Sequence, residues 1–327
     1  MNLNVENYRI LEMQVGSRLY GTDTPESDTD YCGIFVAPVQ YYLGLDQIHE
    51  VNLSTISKKE NGRNDKEAID RKLYELRKFV NLAMGNNPNI IEMLFVNQDN
   101  VVFEDSFGRE LRKNAHLFPH LGCVQKFIGY AKSQKMKMFV KRDNMEAIVS
   151  AIEFFQNIED HPNKNYVVQY KKDLLSKIEK SKDTGQHIQI GDIHLQKNET
   201  MKQALRKLKD RRAKFSGRYD DFVSKVGYDT KFASHLIRLL LEGIELLRTG
   251  RIIFPLVEAD LILDIKQGKY TIEEVMELAG DLENSIEMVK ENAAVPTKPR
   301  YKEIEKFLIN MVQDHWDHMR TSQGVII

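Results

Sequence analysis

The sequence predicts an α+β fold in which a small mixed β-sheet with flanking helices precedes a mostly helical region. Up to about residue 105, short runs of β-forming residues alternate with turns and helical patterns. Beyond that point, apolar residues recur mainly at helical spacing. The chain has 327 residues, more than the roughly 100–200 of a typical domain. We therefore expect two domains, one over residues 1–105 and a helical one over residues 106–327.

Three strand candidates lie in the first region, over residues 8–15, 30–36 and 66–70. Gly16 and Ser17 interrupt the pattern after the first candidate, and a turn-rich stretch with Pro25 precedes the second. From Arg71 to Met84, apolar residues recur at the spacing of a helix. These elements predict a small sheet with short connections.

The second region contains seven helix candidates. They cover residues 124–138, 144–155, 166–180, 200–212, 231–249, 272–291 and 301–319. Polar and apolar residues alternate over 184–195, which predicts a small hairpin between helices.

Composition indicates an ordinary globular protein, with 42% apolar and 29% charged residues. The apolar run Ile252–Phe254 is far shorter than the roughly 20 residues of a membrane span, so we expect no membrane partner. The first residues lack the basic and apolar segments of a secretory signal. Cys32 and Cys123 are far apart and have no metal-binding spacing, which favours a reducing compartment and argues against structural zinc. We expect a cytoplasmic protein.

Charge is segregated along a chain whose formal net charge is only −1. Residues 197–218 contain nine Lys and Arg against two acids, a local charge of +7. Residues 132–142 contain five Lys and Arg and no acid, whereas 257–291 contain ten acids against three Lys, a local charge of −7. Segregation of this kind favours an anionic partner. The alternative is that long helices carry ordinary charged solvent faces.

A candidate phosphate site follows the first strand. Gly16, Ser17 and Arg18 lie where a strand ends and a helix is expected to begin, and backbone N–H groups at a helix start attract phosphate. Gly16 lets phosphate oxygens approach the backbone, and Ser17 adds a hydroxyl donor. A Gly-Ser pair alone is common, so this pattern needs a second feature beside it.

Asp28 and Asp30 provide that second feature. They stand two residues apart as a strand begins, so their carboxylates share one face. Carboxylates are preferred ligands of Mg²⁺, although Ser-Asp-Thr-Asp taken alone is also typical of an ordinary turn. Asp70 is the candidate for a third carboxylate, and its alternative is the N-cap of the following helix. Asp65 and Glu67 are weaker candidates for the third position.

Together these motifs resemble the RNA repair pathway DNA polymerase beta family. The resemblance covers most of residues 10–275, in the stretches Gly16-Ser17-x-x-Tyr20-Gly21, Ser27-Asp28-x-Asp30-x-x-Gly33, Asp70, Leu76-Arg77-Lys78-Phe79, Asn87-Pro88-Asn89-x-x-Glu92, 129–134 and 227–239. It implies a polymerase-beta-like nucleotidyltransferase domain over residues 1–105. It further implies Mg²⁺ or Mn²⁺ as cofactor and an NTP, with ATP expected, as substrate.

A stripe in the helical region is a second candidate for phosphate binding. Lys231, His235 and Arg238 are spaced to share one helical face, and Tyr228 lies one turn earlier. In relatives of this superfamily the helical domain lends cations to the triphosphate, and this stripe suits that task. The alternatives are a solvated helix face and, for His235, a core histidine.

Three functions remain open at this point, two of which differ in the acceptor. An RNA 3′ end, including that of a tRNA, is favoured by the basic segments 132–142 and 197–218. A protein hydroxyl would make the chain an AMP-transferring regulator. The third alternative is a nucleotide sensor without catalysis, which three intact acids disfavour.

Overall fold

The computed structural model describes residues 3–25, 27–55, 69–158, 165–215 and 226–323. The chain forms two compact units. The sheet unit comprises Met1–Ala131, Leu236–Asp264 and Met276–Ile327, and the hairpin unit comprises Lys132–His235 and Ile265–Val275. The α+β class predicted from the sequence is confirmed. The division into domains near residue 105 stays a prediction.

A five-stranded mixed sheet forms the centre of the sheet unit. Its strands are β1 (Arg9–Val15), β2 (Thr29–Phe35), β3 (Glu50–Asn52), β4 (Ile69–Glu75) and β5 (Val101–Glu104). Their order is β3-β4-β2-β1-β5, and only the β2–β4 pair is parallel. The parallel pair is central to the site, because it aligns the N-terminal ends of two strands at the same edge of the sheet.

The third predicted strand differs from the structure. β4 continues to Glu75, and the next helix begins at Leu76 rather than at Arg71. Glu75 caps that helix by accepting a hydrogen bond of 3.2 Å from the backbone N–H of Lys78. Leu73 and Leu76 are both buried, and their three-residue spacing imitates a helix although only Leu76 belongs to one. Residues 66–68 lie outside the described part of the chain.

Five α-helices in the described stretches of residues 1–113 belong to the sheet unit, as does the C-terminal helix. They are α1 (Ser17–Tyr20), α2 (Gln40–Leu43), α3 (Leu76–Met84), α4 (Pro88–Ile91) and α5 (Ser106–Lys113). The C-terminal helix, Tyr301–Gln323, packs against α3. Its Trp316 donates a hydrogen bond of 3.0 Å from Nε1 to the carbonyl of Ala37, and its ring meets that of Tyr42 edge-on at 5.2 Å. The far end of the sequence therefore contributes to the core of the sheet unit.

The long helix α6 (Cys123–Gln156) replaces two helices predicted over 124–138 and 144–155. No Gly or Pro occurs between Tyr130 and Gln156, so nothing in the backbone chemistry interrupts it. The further helices in the described part of the chain are α7 (Lys171–Lys177), α8 (Met201–Phe215), α9 (Thr230–Thr249), α10 (Ala259–Lys266), α11 (Ile272–Lys290) and α12, the C-terminal helix. Within the described residues, none of the helices has the length and apolarity needed to cross a membrane.

The hairpin predicted over 184–195 is confirmed and has a third strand. The antiparallel strands are β6 (Ser181–Asp183), β7 (His187–Ile190) and β8 (Ile193–Gln196). Ile188, Ile190 and Leu195 are fully buried in the core of the hairpin unit. The alternation of polar and apolar residues therefore predicts correctly which face of this small sheet is buried.

Candidate active site

Two of the predicted acids are direct neighbours in the sheet. Asp30 on β2 is the register partner of Asp70 on β4, and Thr29 pairs in the same way with Ile69. Because residues in register on adjacent strands share a face, both carboxylates lie on one side of the sheet. Asp28 precedes Asp30 by two residues, just before β2 begins. Asp28 and Asp70 are exposed and Asp30 is half-buried, so this edge combines acid groups with access to solvent.

Asp70 is oriented by a residue that the sequence did not single out. The Oγ of Ser54 lies 2.6 Å from Oδ1 of Asp70 and accepts a hydrogen bond of 3.0 Å from the backbone N–H of Arg71. Since that N–H can only donate, the Ser54 hydroxyl is left to donate its proton to Asp70. The alternative that Asp70 caps a helix is wrong, because β4 continues for five residues and Glu75 is the cap.

Gly16 lies beside the carboxylate of Asp30. Val15, the last residue of β1, is the register partner of Asp30, so the turn at Gly16 begins beside that carboxylate. Gly16 has φ of 74°, a conformation that favours glycine. A Cβ atom at Gly16 would lie 2.7 Å from Oδ2 of Asp30. Only glycine fits here, both for the backbone angle and for the space beside the carboxylate.

The helix that follows Gly16 is shorter than the phosphate motif suggests. α1 contains four residues, and the carbonyl of Ser17 already accepts from the N–H groups of Gly21 and Thr22. One turn has few aligned peptide dipoles, so any attraction for phosphate depends mainly on local N–H groups. Arg18 is exposed, and its Nη1 lies 3.8 Å from a carboxylate oxygen of Asp23.

On the face that carries the acids, their charges act on the neighbouring thiol of Cys32. Cys32 follows Asp30 on the same face of β2 and pairs in register with Lys72. The pKa of the Cys32 thiol is raised to about 12, chiefly by burial and also by the negative charges of Glu92, Asp30 and Asp70. Lys72 opposes this effect, but its ammonium lies 2.9 Å from a carboxylate oxygen on β3. A cation bound at this edge would relieve the repulsion.

The donor set fits a hard divalent cation. Asp30 and Asp70 offer carboxylate oxygens at adjacent positions, and Mg²⁺ typically takes one or two protein carboxylates together with water and substrate phosphate. Within the described ranges, no three Asp, Glu, His or Cys side chains converge closely enough to form a complete metal site by themselves. The arrangement therefore suits a cation whose shell is completed by substrate rather than a closed protein cage.

Arg238 lies inside the sheet unit, not on a solvent-facing stripe. It is 5% exposed, and its Nη1 donates to Glu92 at 3.0 Å and to Glu242 at 2.8 Å. Its guanidinium also stacks on the ring of Tyr20, 4.2 Å from the centroid. The solvated-face alternative is therefore wrong for Arg238. Its predicted role as a phosphate ligand stays untested, and the structure gives its charge internal partners instead.

Tyr228, Lys231 and His235 belong to the hairpin unit. Tyr228 is fully buried, and its hydroxyl donates a hydrogen bond of 2.7 Å to the carbonyl of Tyr270. Burial raises the pKa of Tyr228 to about 12. Lys231 is exposed and His235 is half-buried on α9. Their role at a triphosphate remains a prediction, and the Tyr228 hydroxyl already has a backbone partner.

Sequence reasoning missed Ser54 and Glu242. Ser54 lies in a polar loop, and no local pattern connects it with Asp70, sixteen residues later. Glu242 did have a signal, because it follows Arg238 by four residues and therefore lies on the same helical face. Glu92 was part of a motif, but its contact with Arg238 joins residues 146 positions apart.

Comparisons of the sequence and of the structure with known proteins identify one family and two similar proteins. The family model for the RNA repair pathway DNA polymerase beta family matches residues 5–313. An uncharacterized 38.9 kDa protein encoded in the nrdC-mobD intergenic region of Enterobacteria phage T4 is 27% identical over 321 residues, covering 87% of this chain and 90% of the phage protein. A nucleotidyltransferase-like protein from Exiguobacterium sibiricum 255-15 aligns with 97% of this chain and 83% of its own, at 10% identity and a TM-score of 0.24. At that TM-score, the structural match supports no conclusion about fold or function.

Proposed function

The chain belongs to the RNA repair pathway DNA polymerase beta family and is a polymerase beta-like nucleotidyltransferase, and we propose that it transfers an NMP from an NTP to an RNA end. ATP is the expected NTP. The observation that carries the proposal is the register pairing of Asp30 with Asp70 beside Gly16. This pairing supports a site in which the carboxylates of Asp30 and Asp70 lie next to the Gly16 turn at a solvent-accessible edge of the sheet.

The proposed reaction is a displacement at phosphorus. An acceptor hydroxyl attacks the α-phosphate, the bond between the α-phosphorus and the bridging oxygen to the β-phosphate breaks, and pyrophosphate leaves. Asp28, Asp30 and Asp70 would hold Mg²⁺ or Mn²⁺, which when bound lowers the pKa of a hydroxyl and neutralises charge on the leaving group. Asp70 is also the candidate to orient the acceptor hydroxyl or take its proton, since Ser54 fixes one of its oxygens.

The phosphate contacts are assigned to the turn after β1. The backbone at Gly16, the Ser17 hydroxyl and the exposed Arg18 are the proposed donors for the β- and γ-phosphates. The prediction that Lys231 and His235 bind the triphosphate stays untested. Arg238 and Tyr228 are weaker candidates, because both are buried and bonded internally.

Charge supports RNA as the acceptor. The residues of the hairpin unit include 24 Lys and Arg against 16 Asp and Glu, a net charge of +8, which leaves −9 for the sheet unit. On α8, Lys202, Arg206, Lys209 and Arg212 are exposed and spaced to share one face. We call these four residues the α8 stripe. A row of exposed cations in a basic unit is the electrostatic footprint of a nucleic-acid partner.

The test locates the transferred label. The full chain is incubated with each α-labelled NTP, with Mg²⁺ or Mn²⁺, and with either total RNA or a cell lysate. We expect label in RNA, lost by at least about a thousandfold in Asp30→Asn and Asp70→Asn. Asp281→Asn, an exposed aspartate on α11, is the matched control and should keep full activity.

Other outcomes redirect or refute the proposal. Label in protein, retained after nuclease treatment, would make this an enzyme that nucleotidylates a protein hydroxyl. No transfer from any NTP to any acceptor, with NTP binding intact, would indicate a nucleotide sensor. Near-wild-type transfer by Asp30→Asn would refute the assignment of the carboxylates.

A further inference from the structure

We propose that Tyr20, Glu92, Arg238 and Glu242 form a buried support that sets the position of the Gly16 turn beside Asp30. We call these four residues the Arg238 cluster. Arg238 is then a positioning residue that acts through Tyr20, rather than a ligand of the triphosphate. The inference rests on the proposed function for its catalytic meaning, whereas its structural part can be tested without any turnover.

The Arg238 cluster is closed and almost free of solvent. Tyr20, Glu92, Arg238 and Glu242 are 8%, 4%, 5% and 0% exposed. The Tyr20 hydroxyl lies 3.0 Å from both carboxylate oxygens of Glu92. Nη1 of Arg238 bridges Glu92 and Glu242, at 3.0 Å and 2.8 Å. Three separate segments of the sheet unit therefore meet at one charged group.

Tyr20 connects this support to the turn. It is the last residue of α1, and its backbone N–H donates a hydrogen bond of 3.1 Å to the carbonyl of Gly16. Its own carbonyl accepts from Leu256 at 3.2 Å. Gly21, with φ of 74°, is so close to Pro255 that an added Cβ would lie 2.9 Å from the proline ring. The side chain of Tyr20 and the C-terminal end of α1 are both held by these contacts. A shift of this one-turn helix would therefore also move Gly16.

Because its charges are buried, the Arg238 cluster should be sensitive to the replacement of any one of its residues. Burial opposes every charge in the Arg238 cluster, so removing Arg238 would leave Glu92 and Glu242 facing each other without a cation. Among the residues that the structure describes, Nε of Arg238 has no hydrogen-bond partner, and the guanidinium is held by Nη1 and by its stacking on Tyr20. A lysine can replace the contact of Nη1 with the carboxylates. A lysine cannot reproduce the planar stacking of the guanidinium on the Tyr20 ring, and this stacking helps to hold Tyr20 in place.

The first experiment measures amide hydrogen exchange over residues 16–21 without nucleotide. Tyr20→Phe keeps the ring and removes only the hydroxyl that meets Glu92. We expect these amides to exchange at least about tenfold faster in Tyr20→Phe and in Arg238→Lys, with the amides of α12 unchanged. Tyr301→Phe is the control, because that exposed tyrosine has its hydroxyl 3.5 Å from a surface glutamate.

The second experiment is a double-mutant cycle on kcat/KM for NTP transfer. If Arg238 acts through Tyr20, the two single variants each lose about tenfold and the double variant loses little more. The loss should fall mainly on kcat, with similar changes in affinity for ATP and for AMP.

Two results would overturn the proposal. One is unchanged exchange over residues 16–21 in Tyr20→Phe. The other is additive losses in the cycle together with ATP affinity that falls in Arg238→Lys while AMP affinity does not, since that pattern assigns Arg238 to the β- and γ-phosphates. The exchange result can be read even if no NTP is ever transferred, so a failure of the proposed function would not be mistaken for a failure of the support.

Discussion

The hydroxyl of Ser54 lies 2.6 Å from Oδ1 of Asp70 and is fixed from behind by the backbone N–H of Arg71. This contact orients the carboxylate that faces Asp30 across the parallel strand pair. Ser54→Ala should lower kcat by about tenfold, because a hydrogen bond to a charged group is worth roughly 1.5–3 kcal/mol and only part of it bears on the reaction. Ser54→Thr keeps the hydroxyl and should recover most of the activity.

Steady-state kinetics of both variants check this prediction. Ser176→Ala is the control, because Ser176 is exposed and its hydroxyl bonds only the carbonyl of Asp173 in its own helix. Equal losses in Ser54→Ala and Ser54→Thr would mean that the hydroxyl does not act on Asp70.

Gly16→Ala should disable the site more severely than backbone strain alone explains. With φ of 74° and ψ of −147°, its backbone is unfavourable for alanine by roughly 1–3 kcal/mol, and the new Cβ would also lie 2.7 Å from Oδ2 of Asp30. Gly185→Ala is a matched control, because Gly185 has φ of 87° and nothing within 4 Å of an added Cβ.

Thermal unfolding and NTP transfer separate the two effects. Both variants should lose a few degrees of Tm, but only Gly16→Ala should lose transfer, by at least about a hundredfold. Full activity in Gly16→Ala would show that the contact with Asp30 is unimportant.

The sequence predicts a cluster of acids but not the contacts that position them. Asp28 and Asp30 could be predicted because period two along a strand is a local rule. The pairing of Asp30 with Asp70 depends on a parallel register between strands separated by a long connection, and no local pattern encodes it. The sequence predicts that the third strand ends at Asp70, whereas β4 continues to Glu75, because buried Leu73 on the strand and buried Leu76 on α3 have helical spacing.

Arg238 illustrates the same limit from the other direction. Helical periodicity placed it correctly on one face with Lys231, yet periodicity cannot tell a solvent-facing cation from a buried one. The deciding contact is with Glu92, which is remote in sequence. Motif spacing therefore singled out Arg238 and, from local information alone, suggested an exposed role for a buried side chain.

Glu242 should make stability depend on pH. Burial raises its pKa from 4.5 to about 8, with the positive charge of Arg238 opposing the shift and the charges of Glu92 and Glu245 adding to it. The unfolded chain loses this proton near pH 4.5 and the folded chain near pH 8, so the folded state binds more protons in between. The contribution of Glu242 to stability is therefore full below about pH 4.5 and is lost as pH rises through about pH 8.

Chemical denaturation of wild type and Glu242→Gln at about pH 5 and about pH 9 tests this dependence. The unfolding free energy of wild type relative to the variant should be higher at the lower pH, and the variant should show a flatter profile. Glu277→Gln, at an exposed position on α11, should reproduce the wild-type profile. Parallel profiles for wild type and Glu242→Gln would contradict a shifted Glu242.

RNA binding along the α8 stripe should depend steeply on salt. Each neutralised phosphate of a single strand releases counterions and contributes a slope of about −0.7, so four contacts give roughly −3 on a log–log plot of affinity against salt concentration. Arg211 is left out, because its Nε already lies 3.1 Å from a carboxylate oxygen of Asp192.

Replacing Lys202, Lys209 and Arg212 together with Gln should flatten that slope by about two, since three contacts are removed. The control replaces three exposed lysines of the sheet unit, Lys298, Lys302 and Lys306, with Gln and changes the net charge by the same amount. If RNA binds along the α8 stripe, the salt dependence of RNA affinity becomes flatter only in the first variant. Transfer to a small hydroxyl acceptor persists in both variants. Equal losses in the two variants would indicate a nonspecific effect of net charge, and strong binding that ignores salt would refute an electrostatic surface on α8.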